Sequence, residues 1–252
     1  ELIRELFSIN SRDRTAHTFV RGPWNMKEMN TTVFFTKCCH DVDFVLWLTG
    51  GQVESVKSEK GTRIFTPADA PSGAADRCVR CAIEQTCPYS AVDLYLRRKD
   101  WIKGFVAQPG ETQEEMIVRM LDTSRYGRCV YNCPENDVID RQSVVMEMTD
   151  GVKAEVIMEC VTDEKDRYTV IECENAVITG DESFIEVSYK DSSVLQEKYD
   201  FQWTRGMEFH AGADHQVVKE FIDAIASGDL QTRTPSSEAL ASHLICFRAE
   251  MI

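Results

Sequence analysis

No apolar run in this chain approaches the roughly 18 residues that a membrane-spanning helix needs, so no membrane span is expected. Clusters of basic residues are missing as well. Lys and Arg number 28 against 42 Asp and Glu, a net charge of −14. A nucleic-acid partner is not expected on that ground, because phosphate binding draws on grouped Lys and Arg. The first residues, Glu1-Leu2-Ile3-Arg4-Glu5-Leu6, have neither the basic head nor the long apolar core of a secretory leader. A cytoplasmic location is therefore the expectation. No internal repeat or low-complexity tract is visible, and the acidity reads as solubility.

What is present is an ordinary globular composition, 43% hydrophobic, with ten cysteines. In the absence of a leader, reduced, buried or metal-bound thiols are a better reading than a disulfide framework. Cys78 and Cys81 have C-x-x-C spacing, Cys87 follows, and Cys129 or Cys133 can complete a set of four. Tetrahedral zinc accepts four thiolates at such spacings. A second C-x-x-C is missing, so buried free thiols, a disulfide or an iron–sulfur centre remain alternatives to a structural zinc on Cys78, Cys81, Cys87 and Cys133. Cys38 and Cys39 fall on a helix. Cys160, Cys173 and Cys246 fall in core-like patterns.

Along the chain, short strands are expected from Leu6 to Ile9 and from Thr15 to Val20, with a turn between them. A helix over 36–49 ends at Gly50-Gly51, and Gln52 to Ser58 alternates as a strand. A cysteine-bearing loop insertion covers about 66–135 and carries short helices near 89–98 and 112–123. From residue 143 the period becomes two. Ser143 to Met148 and Val152 to Met158 flank an Asp150-Gly151 hairpin turn. Strands over Tyr168–Cys173, Ala176–Thr179, Phe184–Tyr189 and Leu195–Phe201 follow. Two helices close the chain. One, over 213–226, places Val217, Val218, Phe221, Ile222 and Ile225 on one face. The other has Thr234 as N-cap and Pro235 at its first position, and runs through Leu240, Leu244 and Phe247. The fold class expected is α+β in one domain over 1–252, an open, mostly antiparallel sheet with helices on one face. The other sheet face is then free for a partner or a second subunit. The strand residues Met146, Met148, Met158, Phe184, Tyr189, Phe201 and Trp203 suit a core, a subunit interface or a cofactor box.

The helix over 36–49 carries the most chemistry. Lys37, His40, Asp43 or Phe44, and Trp47 share one face, since residues three or four apart are helix neighbours. Trp47 is expected to anchor the stripe in a core. His40 has the imidazole that titrates near neutral pH. Lys37 can polarise an oxygen, or act as a base if burial lowers its pKa. The plainer alternative is a surface hydrogen bond between His40 and Asp43, with Lys37 solvated. Just upstream, Arg21-Gly22-Pro23-Trp24 and His17 offer a guanidinium and an indole suited to a sugar, or an ordinary turn with a packed Trp. His210 and His215 flank Gly212 and read as capping or surface residues.

Several segments, in order, resemble the Gfo/Idh/MocA family of oxidoreductases. They are Arg21-Gly22-Pro23-Trp24, the Lys37 to Gly50 helix with its H-x-x-D…W-x-x-G pattern, and the loop ending Cys87-Pro88-Tyr89-Ser90-Ala91. Gly127-Arg128-Cys129-Val130-Tyr131, the Val144 to Ala154 hairpin, Ile178-Thr179-Gly180-Asp181, and the closing helices from Gly212-Ala213-Asp214-His215 to Ser242-His243-Leu244 complete the set. The family's Gly-rich nucleotide loop and its Glu-Lys-Pro motif are missing here. Thr36 stands where relatives carry an Asp four residues before the His.

The resemblance implies that this chain is the family's C-terminal, dihydrodipicolinate-reductase-like domain, without the N-terminal Rossmann domain. It implies a part in NAD- or NADP-dependent oxidation of a sugar, cyclitol or polyol, the dinucleotide being held mainly outside this chain. Lys37 and His40 would be catalytic, with Arg21, Trp24, Asp43 and His17 binding substrate. Homo-oligomerisation through the open sheet face is implied too. A non-catalytic binding or assembly module of the same fold, and an NAD-dependent glycosidase, are the alternatives.

Overall fold

The structure, a computed structural model, describes residues 2–8, 12–50, 52–61, 64–161, 167–181, 183–201, 213–229 and 236–252. The described strands form one open sheet of eight, β1 (Leu2–Ser8), β2 (Val53–Lys60), β3 (Arg141–Met148), β4 (Lys153–Glu159), β5 (Tyr168–Glu172), β6 (Ala176–Gly180), β7 (Phe184–Tyr189) and β8 (Glu197–Asp200), in spatial order β2-β3-β4-β1-β5-β6-β7-β8. Only the β1–β4 pair is parallel. The expected open, mostly antiparallel α+β sheet is what forms. Among the described residues no helix is long and apolar enough to cross a membrane.

The β3–β4 hairpin follows from local chemistry. Gly151 takes a positive φ of 88°, which costs glycine little because it has no Cβ. Asp150 Oδ1 accepts from the Val152 N–H at 3.1 Å. Alternation then sends Val144, Met146, Met148, Ala154, Val156 and Met158 to one face, where each is fully buried. Met146, Met148 and Met158 are thus core residues.

Helices cover that face. A short turn α1 (Arg12–Arg14) runs into a π-helical segment, Thr15–Arg21, and α2 (Lys27–Asn30) leads to α3 (Val33–Thr49). Thr32 caps α3, its side chain accepting from the Phe35 N–H, and Gly50 closes the helix at φ +57°. Phe34, Cys38, Val42 and Val45 recur at helical spacing and are fully buried against the hairpin. After α4 (Gln113–Thr123) and α5 (Ala213–Ser227), α6 (Ser236–Met251) lies beside α3 and buries Ser242, Cys246 and Ala249.

Three expectations need correction. Thr15 to Val20 is helical, not a strand: Ala16, Phe19 and Val20 are spaced for one helical face, and all three are buried. Gly22 ends that segment where no larger residue fits, since a Cβ would stand 2.5 Å from the Thr18 carbonyl oxygen. Trp47 does not anchor α3, because it is 69% exposed while Phe34, Cys38, Val42 and Val45 do the anchoring. Cys173 is half-buried, unlike Cys160 and Cys246, which lie in the core. The strand end at Ile9, the Thr234–Pro235 cap, Trp203 and His210 lie outside the described residues.

The segment 64–140 forms a lobe of its own with two small cores. One gathers Leu94, Tyr95, Met116, Ile117 and Leu121 around α4, which begins with a Thr112–Glu115 capping box. The other gathers Phe65, Tyr89 and Val130 with Ala16 and Val20.

Candidate functional site

The core face of α3 is occupied, which leaves its flanks and crest available to a ligand. Beyond β1 the sheet continues past the helix layer, and the C-terminal half of α3 overhangs it. Between them runs an apolar groove of about 620 Å³. Phe44, Trp47 and Leu48 line its helix side, and Ile171, Ile178 and Val187 its floor. Strand register explains the floor: Ile3, Ile171, Ile178 and Val187 are consecutive cross-strand neighbours on the same sheet face.

Arg167 stands at this groove, and its Nε donates to Asp41 Oδ1 at 2.6 Å. Asp41 is 1% exposed. A carboxylate that deep requires a charged partner, because burial of an unpaired charge is costly. One turn earlier on the same flank, Lys37 is half-buried. Burial, and then the positive charges of Arg14 and Arg167, hold its pKa below the usual lysine value. A lysine so placed gives up its proton more readily than a solvated one.

The expected stripe therefore divides. Phe44 and Leu48 line the sheet groove; Lys37 and the buried Asp41 share their flank of the helix at i, i+4, i+7, i+11 spacing but do not line it. His40 is exposed on the crest of the helix. Asp43 turns the other way, into a second groove of about 560 Å³ between α3 and α6, lined also by Leu46, Gln52 and Glu238. Trp47 borders both. No His40–Asp43 hydrogen bond forms among the described residues, so the surface-pair alternative has no support. Asp41 and Arg167 are the residues that sequence reasoning missed. The signal for Asp41 was its i+4 relation to Lys37; for Arg167, distant in sequence, there was none.

The upstream residues lie in other surroundings. Arg21 is 1% exposed. It donates from Nε to the Arg128 carbonyl at 2.7 Å and from Nη2 to the Tyr89 carbonyl at 2.7 Å. It ties the cysteine-bearing loop together and lines neither groove beside α3. His17 is held among aromatic rings, stacked on Tyr126 at 5.2 Å and close to Trp101 and Tyr95. Its Nδ1 lies 2.8 Å from the Tyr95 hydroxyl. Burial, then the Arg21 charge, lower its pKa to about 4, so it is neutral at pH 7. Trp24 packs edge-on against Phe19, with ring centroids 6.3 Å apart. His215 is exposed on the first turn of α5.

The N-termini of α3 and α4, which could meet a pyrophosphate, are closed by the side chains of Thr32 and Thr112. Nor is zinc supported on the expected set. Among the described residues, no three His, Cys, Asp or Glu side chains are gathered as metal ligands. Cys133 turns to the Cys129 carbonyl at 3.4 Å, away from Cys78, Cys81 and Cys87. Those three line one small cavity with Cys129 in its place.

No family profile matches the chain, and no curated protein matches it in sequence. Solved structures do match its fold. A levoglucosan dehydrogenase, solved with NADH and levoglucosan, superposes with a TM-score of 0.57 at 10% identity, over 99% of this chain and 56% of its own. An oxidoreductase from Agrobacterium radiobacter, solved with NAD+, L-tartaric acid and magnesium, gives 0.57 at 10% identity, over 99% and 53%. A super-repressor mutant of Gal80p from Saccharomyces cerevisiae gives 0.58 at 10% identity, over 99% and 54%. The chain thus spans about half the length of the structures it matches and shares the fold of that half.

Proposed function

We propose that this chain is the substrate-side, C-terminal domain of an NAD(P)-dependent oxidoreductase of the Gfo/Idh/MocA type, acting on a sugar, cyclitol or related polyol. The observation that carries this reading is the flank and crest of α3. There a half-buried lysine of lowered pKa, an exposed imidazole, the Asp41–Arg167 pair and the Trp47 indole stand within a few helical turns beside an apolar groove. The complexes of two structures of similar fold with levoglucosan and with L-tartaric acid support the substrate class.

Oxidation of a carbinol requires that its hydroxyl proton be accepted by a group of suitable pKa. His40 is the acceptor in this proposal. Lys37 holds and polarises the same oxygen. Arg167, kept in place by Asp41, binds a neighbouring hydroxyl or carboxylate, and Trp47 offers its face to the carbon ring. NAD(P) supplies the hydride acceptor. In this reading the dinucleotide is held mainly outside this chain, whose own part is to hold substrate, shield it from water and take the proton.

The test is His40→Ala in the full-length gene product. A fall of about 100-fold or more in kcat/KM is expected from loss of a general base. Retention within a few-fold removes His40 from the mechanism. A second reading, a non-catalytic binding module, is favoured by one observation: the fold is shared with a protein known as a repressor mutant. Substrate oxidation by the full-length product contradicts that reading.

A further inference from the structure

The groove beneath α3 is too apolar for a bare polyol. Phe44, Trp47 and Leu48 form its roof. Its floor is two cross-strand rows of one sheet face, Ile171, Ile178 and Val187 in the first, and Thr169, Gly180 and Ile185 in the second. Gly180 puts no side chain between Thr169 and Ile185, so the second row is lowest at its centre. The volume, about 620 Å³, lies within the range of about 300–1,000 Å³ usual for small-molecule pockets.

The charged groups of the lining already have partners. Arg167 Nε donates to the buried Asp41 at 2.6 Å. Asp181 Oδ1 accepts from the Ser183 N–H at 2.6 Å, the Ser183 hydroxyl at 2.7 Å and the Phe184 N–H at 3.1 Å. Besides these two residues, polar side-chain groups on the lining are confined to the Thr169 and Thr179 hydroxyls and the Trp47 indole N–H. A sugar ring carries a hydroxyl on nearly every carbon. Each hydroxyl moved from water onto apolar surface without a partner weakens binding. An alkyl or aryl group makes no such demand, and its burial here is favourable. The groove also begins next to the proposed proton acceptor. His40 lies one turn before Phe44 on α3, and Trp47 about one turn after it.

We propose, resting on the oxidoreductase reading above, that the substrate is a polyol bearing an uncharged apolar substituent, an alkyl or aryl group on one of its oxygens. The substituent fills the groove between α3 and β5–β7, while the carbinol to be oxidised lies outside it, at His40 and Lys37. The roofed, concave shape suits a small group of this kind. A second copy of the chain is the competing occupant.

The experiment is calorimetric titration of methyl, butyl, hexyl and octyl β-D-glucoside, each below its micelle concentration, into the chain Glu1–Ile252. Affinity should rise about fourfold for each methylene that enters the groove. Trp47 in the roof and Ile185 in the floor are 69% and 39% exposed, so both can be changed with little strain on folding. In Trp47→Ala and Ile185→Asp the rise should shrink to about twofold or less per pair of methylenes. Phe221→Asp, on the exposed stripe of α5, should leave it unchanged, as should His40→Ala. If Ile185→Asp fails to fold, Trp47→Ala decides. Affinity independent of tail length in the unmodified chain overturns the proposal. A rise that survives in the groove variants and disappears in Phe221→Asp does so too, since it places the tail on α5. A dimer in sedimentation equilibrium that Ile185→Asp dissociates also overturns it, because a second copy then fills the groove. The failure of the oxidoreductase reading is a separate result: it shows as absent polyol oxidation by the full-length product, whereas oxidation with no dependence on tail length sinks the groove assignment alone.

Discussion

The two halves of the sheet are written in similar sequence patterns and end in different surroundings. In β3 and β4, alternation buries Val144, Met146, Val156 and Met158 completely beneath α3 and α6. In β5 to β8, Ala176 is the one buried residue among those described, and Ile185 remains 39% exposed. Period-two alternation specifies a strand and its two faces, but not whether a layer lies over them. The inner half is a folding core. The outer half, with the flank of α3 above it, keeps apolar surface that a ligand can use. The same contrast recurs in the closing helices. α6 buries Ser242, Cys246 and Ala249, whereas Val217, Phe221 and Ile225 of α5 form the expected apolar stripe and stay exposed.

The largest effect that sharpens this comparison is truncation in the inner half. Met146→Ala should lower unfolding free energy by about 2–5 kcal/mol, the usual range for a buried Met. Ile178→Ala in the outer half should cost less than about 1.5 kcal/mol, because less area leaves water there. Denaturant titration of both variants checks this, and equal losses would mean that the outer half is covered in solution. Next is the ion pair at the boundary. Arg167→Met leaves Asp41 buried without its charged partner, a loss of about 3 kcal/mol, the lower end for buried pairs since Arg167 is itself partly exposed.

A smaller effect concerns His17. Its folded pKa of about 4 lies below the ordinary 6.5, so protonation favours the unfolded chain. That contribution is fully present above pH 6.5 and is lost as pH falls from 6.5 toward 4. The wild-type chain should therefore lose more stability across that window than His17→Phe, as stability curves at several pH values would show. Smallest is Trp47→Ala, which should change stability by no more than about 0.5 kcal/mol, as for an exposed residue. A larger loss would show that Trp47 is packed in solution.

Much of this was legible beforehand. The Asp150-Gly151 turn, the strand runs and the 17-residue helix α3 follow from local rules that the structure obeys. The placement of Lys37 and Asp43 on different flanks was not legible, because the helical face they share is wide enough for α6 to take one side and the sheet the other. The surroundings of Arg21 and His17 were not legible for a related reason. Residue type gives their chemistry, but burial by a lobe that begins some 40 residues later decides their use. Thr15 to Val20 satisfied two periodicities at once, and contacts from distant segments chose between them, such as the Thr15 hydroxyl donating to the Cys160 carbonyl at 2.7 Å.

The central claim is that these residues form the substrate side of an oxidoreductase whose dinucleotide is held elsewhere. Calorimetric titration of NAD(H) and NADP(H) into the chain Glu1–Ile252, at high protein concentration, tests it most directly. The account predicts no measurable binding. Binding at micromolar affinity would place a nucleotide site within these residues and contradict it.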